Sequence, residues 1–248
     1  MLETAVALVL AHCLADFVLQ SDAMVRDKAR APVLLAHAGV VALASSAALG
    51  FAPVPLLILL VAASHFLIDG LKIRYGGPGF APFAADQAAH LAMIALAAAL
   101  VPEAYAGGLW TVLAHGPLGT WLPHLPATMA LAAGLVATVW AGGYAVRTLM
   151  SGLEFTEAKD SLPKGGQLIG RLERLMILML LLADQPDGIG LLIAAKSILR
   201  FNELARDANS TDAGRRASEY VIIGTLASFA WAIASAWATG AAMRALSP

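Results

Sequence analysis

The sequence predicts an all-α, polytopic integral membrane protein with about eight transmembrane helices. Of its 248 residues, 59% are hydrophobic and only 13% are charged, whereas soluble domains contain about 25% charged residues. The mean hydropathy is +0.75. Apolar runs rich in Ala and Leu recur along the whole chain, and each is long enough to cross a bilayer core of roughly 30 Å. The same continuous runs disfavour a transmembrane barrel, whose strands are short segments of alternating polarity.

Each apolar run is predicted to form one helix, and prolines lie at or near the starts of several of them, where proline is tolerated. The predicted spans are residues 3–20, 33–50, 53–72, 86–102, 127–149, 168–183, 187–203 and 217–240. They divide the chain into a four-helix unit over residues 1–102, an outer interfacial segment over 103–126 and a second four-helix unit over 127–248.

Lys and Arg are concentrated in alternate loops. The loops after the first, third, fifth and seventh predicted helices are basic, whereas the connections over 51–52, 103–126 and 184–186 contain no Lys or Arg. The positive-inside rule places the basic loops in the cytoplasm and both termini outside. The net charge of −1 gives no signal for nucleic acid as a partner, so the expected partner is the lipid bilayer.

Seven ionisable residues interrupt the first four predicted helices: His12, Asp16, His37, His65, Asp69, Asp86 and His90. Pairs of His and Asp four residues apart, which share one helix face, occur at 12/16, 65/69 and 86/90. Combined with the alternating helix directions, the spacing places all seven in the cytoplasmic half of the membrane. Because ionisable residues inside a membrane mark functional sites by default, the common depth predicts one shared site.

The first hundred residues also contain a tandem repeat of two helical hairpins. His12 and His37 are 25 residues apart, and so are His65 and His90. Each hairpin therefore provides His, Asp and His, and the second adds Asp86. Both hairpins start on the same side, so the repeat predicts a pseudo-twofold axis along the membrane normal.

Four His and three Asp form a mixed nitrogen and oxygen ligand set that suits a divalent transition metal, Zn²⁺ or Mn²⁺ foremost, and does not suit Ca²⁺. Seven ligands are more than one tetrahedral ion needs. The sequence is compatible with one ion that has outer Asp partners and with two ions. A two-ion site favours phosphoester hydrolysis by an activated water, with Asp16, Asp69 and Asp86 as the candidate catalytic carboxylates. The other interpretations are a proton relay and structural hydrogen bonding between helices.

The second half carries charges at the same predicted depth, including Glu173. The plain interpretation is structural ion pairing, because an unpaired buried charge is costly. The functional interpretation is an anion site that holds a lipid phosphate. Its candidate residues are Lys72, Arg174, Lys196 and Arg200.

Several motifs follow one another in order: His-x-x-x-Asp-Phe-x-x-Gln at 12–20, a single His at 37, His-Phe-x-Ile-Asp at 65–69 with Lys72, and Asp-Gln-x-x-His at 86–90. Over about the first 100 residues this order resembles the uncharacterised prokaryotic membrane proteins grouped as domain of unknown function 3307. The resemblance implies a prokaryotic cell (inner) membrane and no settled activity. More loosely, the chain is similar to membrane-bound metal-dependent hydrolases, and its His-x-x-x-Asp pairs resemble in spacing those of zinc-dependent phospholipase C and P1-type nucleases.

These observations predict a metal-dependent hydrolase that acts on a phosphoester, foremost of a lipid, from the cytoplasmic leaflet. Two alternatives use the same His and Asp residues. One is a proton- or metal-coupled transporter, and the other is a non-enzymatic membrane scaffold with a structural metal. The number of ions and the oligomeric state stay open at this level.

Overall fold

The computed structural model describes residues 1–116, 119–153, 165–206 and 212–247. These residues form helices and connecting turns, with no strand among them, which confirms the all-α class. The α-helices are α1 (Leu2–Phe17), α2 (Asp22–Asp27), α3 (Ala31–Ala48), α4 (Pro55–Tyr75), α5 (Phe80–Leu100), α6 (Leu109–Leu113), α7 (Leu125–Val136), α8 (Gly142–Met150), α9 (Gly165–Leu182), α10 (Asp187–Arg206) and α11 (Asp212–Leu246). A 3₁₀ turn at Leu122–His124 precedes α7, and a π-helical segment at Ala137–Ala141 joins α7 to α8.

Among the described residues, five helices are long and apolar enough to cross a membrane, as a multi-pass membrane protein requires. They are Ala31–Ala48, Pro55–Tyr75, Phe80–Leu100, Leu122–Met150 and Glu219–Leu246. The other three predicted spans correspond to α1, α9 and α10. The first has only 16 residues, and the other two carry several charges. A total of eight spans therefore stays a prediction.

One helix boundary differs from the prediction, and one short helix is additional, in ways that matter for the site. The helix predicted to begin at residue 86 begins at Phe80, because the apolar residues before Asp86 continue it and Pro82 lies in its first turn, where proline is tolerated. The first basic loop contains the short helix α2, whose N-terminus is capped by Ser21. Its Oγ accepts a hydrogen bond from the Met24 backbone N–H at 3.3 Å.

Many large apolar side chains are exposed on the outer surface of the helices. Large side chains lie on the outside, where Leu35, Leu56 and Leu191 are 66%, 80% and 74% exposed. Small residues such as Ala7 and Ala11 are fully buried between the helices. Small residues let membrane helices approach closely, so this arrangement suits a surrounding of lipid.

Four helices of the N-terminal unit form a closed ring. Helix α1 packs against α3 and α5, and α4 also packs against α3 and α5. One end of the ring is covered by the segment that follows α5. There the Thr4 hydroxyl donates to Pro102 O at 2.8 Å, and the Trp110 indole N–H donates to Ala47 O at 3.0 Å. The basic turns after α1 and α4 lie at the opposite end.

The second half of the chain supports this ring from outside. Helix α7 packs against α1, α8 packs against α5, and α11 packs against α7 and α9. An aromatic group joins the two halves, because the Phe83 ring centroid lies 5.2 Å from that of Tyr144 and 6.3 Å from that of Trp231. Since Phe83 lies one helical turn before Asp86, these residues also fix the helix that enters the site.

Candidate metal centre

The structure brings all seven predicted His and Asp residues together inside the ring. We call His12, Asp16, His37, His65, Asp69, Asp86 and His90 the polar cluster. None of their side chains is more than 9% exposed. A buried polar group needs a partner or a ligand, so the contacts inside the polar cluster decide what it can do.

The polar cluster extends from the middle of the ring towards its basic end. His65 is the eleventh of the 21 residues of α4, and His90 is the eleventh of the 21 residues of α5. Asp69 follows His65 by one turn, and Asp86 precedes His90 by one turn. His65 and His90 therefore lie at mid-helix depth, and the carboxylates of Asp69 and Asp86 lie closer to the basic end.

Four residues of the polar cluster point one atom each at a common centre. The Asp16 Oδ1 atom lies 3.2 Å from His37 Nε2 and 3.2 Å from His65 Nε2. The two Nε2 atoms lie 3.0 Å apart. The Asp69 Oδ2 atom lies 3.6 Å from His37 Nε2 and 3.4 Å from His65 Nε2. We call Asp16, His37, His65 and Asp69 the quartet.

These distances fit a tetrahedral metal ion. Zn²⁺ binds His nitrogen and carboxylate oxygen at about 2.0–2.2 Å, so the ligand atoms of a tetrahedral site are separated by about 3.3 Å. Five of the six separations in the quartet, all those that involve His37 or His65, range from 3.0 to 3.6 Å. Nitrogen and oxygen donors of this kind are also the ligands that Zn²⁺ and Mn²⁺ accept.

Hydrogen bonds alone satisfy the quartet poorly. If one Nε2 carries a hydrogen, the lone pair of the other faces Asp16 Oδ1 at 3.2 Å. If both carry one, each can donate to a carboxylate, but two N–H groups then meet across 3.0 Å, which is repulsive. A cation at the centre accepts the lone pairs of both His37 and His65 at once.

The remaining members present free acceptor atoms. The His90 Nδ1–H donates to the Asp86 backbone carbonyl at 2.9 Å, so in the neutral ring Nε2 carries the lone pair. The His12 Nε2–H donates to Gln87 Oε1 at 3.2 Å, which leaves its lone pair on Nδ1. Within the described part of the chain, His90 Nε2, His12 Nδ1 and Asp86 Oδ1 have no hydrogen-bond partner.

Three overlapping groups in the polar cluster are close enough to hold a cation. In each group the members offer one ligand atom apiece, and these atoms lie within 4.8 Å of one another. The groups are Asp16–His37–His65, His12–His65–His90 and Asp69–Asp86–His90. Because His65 and His90 each belong to two groups, the ligand atoms form one continuous set across the ring.

Two lysines close the basic end of the polar cluster. Lys28 Nζ lies 2.7 Å from Asp69 Oδ2, and Lys72 Nζ lies 2.7 Å from Asp86 Oδ2. Their side chains are 19% and 32% exposed, so both reach from the surface to a buried carboxylate. Sequence reasoning included Lys72 as a candidate and missed Lys28, which it treated as a loop charge. The signal that could have found Lys28 is the N-cap residue Ser21, which predicts a short helix inside the basic loop.

The other predicted phosphate ligands lie in the second unit, where the two whose side chains are described, Arg174 and Lys196, contact residues of that unit. Arg174 donates from Nη1 to Ser228 Oγ and from Nη2 to Val139 O, both at 3.0 Å. Lys196 Nζ donates to Glu173 Oε2 at 2.7 Å, as the ion-pairing interpretation expects. Arg200 lies in α10, and its side chain is outside the described residues. A role of these three in phosphate binding stays a prediction.

The fold and the site together define a multi-pass helical membrane protein with a buried centre of His and Asp residues. Residues 5–110 match the model of the family described as "Protein of unknown function (DUF3307)". This segment contains the whole polar cluster, and the match confirms the resemblance predicted from the ordered motifs. No curated protein and no solved structure matches the chain. The looser similarity to membrane-bound hydrolases stays a prediction.

Proposed function

We propose that this protein is a membrane-embedded, metal-dependent phosphoester hydrolase whose metal ion, Zn²⁺ or Mn²⁺, is held by the quartet. The geometry of the quartet carries the proposal: two nitrogens and two carboxylate oxygens from three helices converge at the separations that a tetrahedral ion requires. A metal ion in such a site supplies a water of lowered pKa and polarises a phosphoryl oxygen.

Within the quartet, Asp69 is the residue best suited to act as the base. Its Oδ2 is the ligand atom farthest from the two His nitrogens, at 3.4 and 3.6 Å, and it lies on the side of the lysines. A catalytic ion keeps three protein ligands and one open position, so Asp69 would give up its place on the ion to a water, while Asp16, His37 and His65 remain as ligands. Asp69 would then take a proton from the attacking water as its oxygen bonds to phosphorus, and would return that proton to the leaving alkoxide as the ester P–O bond breaks.

Lys28 and Lys72 are placed to hold the phosphate. Both ammonium groups lie at the basic end of the polar cluster, and each already neutralises a carboxylate. An ammonium group binds phosphate as a point charge, and basic residues at a membrane boundary attract lipid headgroups. The proposed substrate is therefore a phospholipid. Its phosphate would contact the lysines while its acyl chains remain among the apolar helices.

The proposal includes an orientation in the membrane. Eight spans, with α1, α9 and α10 added to the five long apolar helices, put both termini outside and the lysine end of the ring at the cytoplasmic side. The two hairpins α1–α3 and α4–α5 then act as the repeated halves of the site. Reporter fusions at residue 248 and in the loop after α4 test this orientation. A fusion at residue 248 that is active only in the cytoplasm contradicts it.

One observation favours a second candidate function, a proton- or metal-coupled transporter. His65 and His90 lie at mid-helix depth, where carriers place their ion sites. They line a small cavity of about 10 Å³ together with His12 and Ser45. Flux of ⁵⁴Mn²⁺ or protons into sealed proteoliposomes, without release of phosphate from any lipid, would favour transport over hydrolysis.

The test of the proposed function starts with metal content. Full-length protein purified in detergent is dialysed against Zn²⁺ or Mn²⁺ and compared with the variant His37→Gln by elemental analysis. His115→Gln is the matched control, because His115 is exposed in the outer segment. We expect bound metal in the wild type and the control and its loss in His37→Gln.

The second half of the test measures turnover. The metal-loaded protein is incubated with vesicles of phosphatidylglycerol, phosphatidylethanolamine or phosphatidic acid, and the phosphorus-containing products are analysed. Metal-dependent cleavage that Asp69→Asn abolishes supports the hydrolase. Stable metal binding without cleavage or ion flux would leave the structural-metal scaffold as the function.

A further inference from the structure

Three members of the polar cluster lie outside the quartet, and each has an atom to which no described residue donates a hydrogen bond. His90 Nε2, His12 Nδ1 and Asp86 Oδ1 are buried and have no hydrogen-bond partner among the described residues. The three residues are only 3%, 3% and 6% exposed. A buried acceptor without a partner is unfavourable by the full cost of its desolvation, so a ligand that accepts lone pairs is expected here.

The hydrogen bonds around these atoms hold them in the state that a cation requires. The His90 Nδ1–H is committed to the Asp86 carbonyl, which fixes the neutral tautomer with a lone pair on Nε2. The Gln87 amide donates from Nε2 to Asp86 Oδ2 at 3.1 Å and presents Oε1 to His12. Outer partners of this kind orient metal ligands and raise their basicity.

Asp69 connects this region to the quartet. One ligand atom each from Asp69, Asp86 and His90 lies within 4.8 Å of the others, while Asp69 Oδ2 also faces the two His of the quartet. A carboxylate shared by two groups of ligands is how dinuclear sites hold two ions about 3.5–4 Å apart.

Charge determines when a second ion can enter. Asp16, Asp69 and Asp86 contribute three negative charges, and the two lysines in contact with them contribute two positive charges, so the site has a net charge of −1 with neutral His residues. One divalent ion in the quartet changes this to +1, and a second ion changes it to +3. An uncompensated buried charge of that size is strongly unfavourable, whereas a phosphate anion that binds with the second ion offsets most of it.

We propose that Asp86, His90 and the shared Asp69 form a second divalent-cation position that is filled cooperatively with a phosphate anion. The inference rests on the proposed function, because the first ion is the one in the quartet. Lys72 competes with the second cation for Asp86. When the cation binds, the Lys72 ammonium leaves Asp86 Oδ2 and contacts the phosphate. By linkage, the anion and the second cation raise each other's affinity by the same factor.

The test measures the number of bound Mn²⁺ ions per chain by equilibrium dialysis of the full-length protein in detergent. Inorganic phosphate is the probe, and sulfate at equal ionic strength is its control. We expect one Mn²⁺ per chain with sulfate and two with phosphate, together with the electron paramagnetic resonance signal of a spin-coupled Mn²⁺ pair. The Asp86→Asn variant should bind one Mn²⁺ under both conditions.

Lys72→Met provides a second variant that does not remove a ligand. It removes one positive charge beside Asp86, so the second Mn²⁺ should bind in sulfate about tenfold more tightly than in the wild type. Arg74→Met is the matched control, since Arg74 is exposed two residues further along α4 and should leave Mn²⁺ binding unchanged.

The outcomes separate this inference from the proposed function. One Mn²⁺ per chain with either anion, in the wild type and in Lys72→Met, would overturn the second position and leave the quartet intact. Two ions with either anion would overturn the cooperativity with phosphate. No bound Mn²⁺ in the wild type, with Zn²⁺ also absent, would overturn the proposed function itself.

Discussion

His37 Nε2 and His65 Nε2 lie 3.0 Å apart at the centre of the four-helix ring. The two residues come from α3 and α4, which belong to different hairpins, and each is also 3.2 Å from Asp16 Oδ1 of α1. A contact between two ring nitrogens needs a proton or a cation between them. With Asp69 completing the quartet, a cation between these atoms would satisfy all four residues.

His65 should be the residue on which metal binding depends most. It belongs to both the Asp16–His37–His65 and His12–His65–His90 groups, whereas His12 belongs only to the second. We expect His65→Gln to lose all bound Zn²⁺ and His12→Gln to retain one ion per chain. Elemental analysis of the purified variants checks this, and equal loss in both variants would show that the quartet is not the main binding position.

Metal binding should also appear in the thermal stability of the protein. A ligand that binds only the folded state stabilises it by about 2.7 kcal/mol at a concentration one hundred times its Kd. The unfolding temperature of the wild type in detergent should therefore rise with added Zn²⁺, while that of His65→Gln should not change. A similar rise in both would indicate metal binding elsewhere in the chain.

Gln87 should be a positioning residue for the polar cluster. Its amide contacts His12 Nε2 through Oε1 and Asp86 Oδ2 through Nε2, so it fixes two potential ligands without binding the metal itself. Loss of an outer partner of this kind lowers metal affinity by about 10–100-fold. We expect that decrease for the second Mn²⁺ ion in Gln87→Leu, measured in phosphate by competition with a chelator, and no change in Gln185→Leu, whose side chain is exposed between α9 and α10.

The sequence predicts the polar cluster well because helical spacing determines which residues share a face. The pairs at 12/16, 65/69 and 86/90 are each one turn apart, and membrane helices exclude such residues unless they meet. The contacts of Lys28 depend on a six-residue helix in a loop and on its distance from Asp69, neither of which leaves a periodic pattern. The π-helical segment at Ala137–Ala141 also leaves no pattern in the sequence, because its geometry depends on partners from distant helices.

Gly142 follows the π-helical segment directly and packs against side chains from distant helices. A Cβ at this position would lie 2.6 Å from Trp231 Cδ1 and 3.0 Å from Arg174 Cδ. Gly142→Ala should therefore destabilise the protein by about 1–3 kcal/mol through overpacking, measured by thermal unfolding in detergent. Gly190→Ala is the control, because nothing lies within 4 Å of its added Cβ and alanine favours a helix. An unchanged unfolding temperature in Gly142→Ala would mean that the contact between α8 and α11 is loose.

Lys28→Met should show opposite effects with and without metal. Lys28 Nζ contacts Asp69 Oδ2 at 2.7 Å, and the Asp69 side chain is only 2% exposed, so the variant leaves a buried carboxylate without its cation. Removing one partner of a buried ion pair costs about 3–5 kcal/mol, and less here because Lys28 is partly exposed. Without metal, the variant should therefore unfold at a lower temperature than the wild type. With saturating Zn²⁺ the difference should become small or reverse, because the ion replaces the lost charge and binds without competition from the ammonium group.

Arg30→Met is the matched control, since Arg30 pairs with Asp27 at the exposed surface and should change neither measurement. A Lys28→Met variant that is equally destabilised with and without Zn²⁺ would show that Asp69 does not bind the ion.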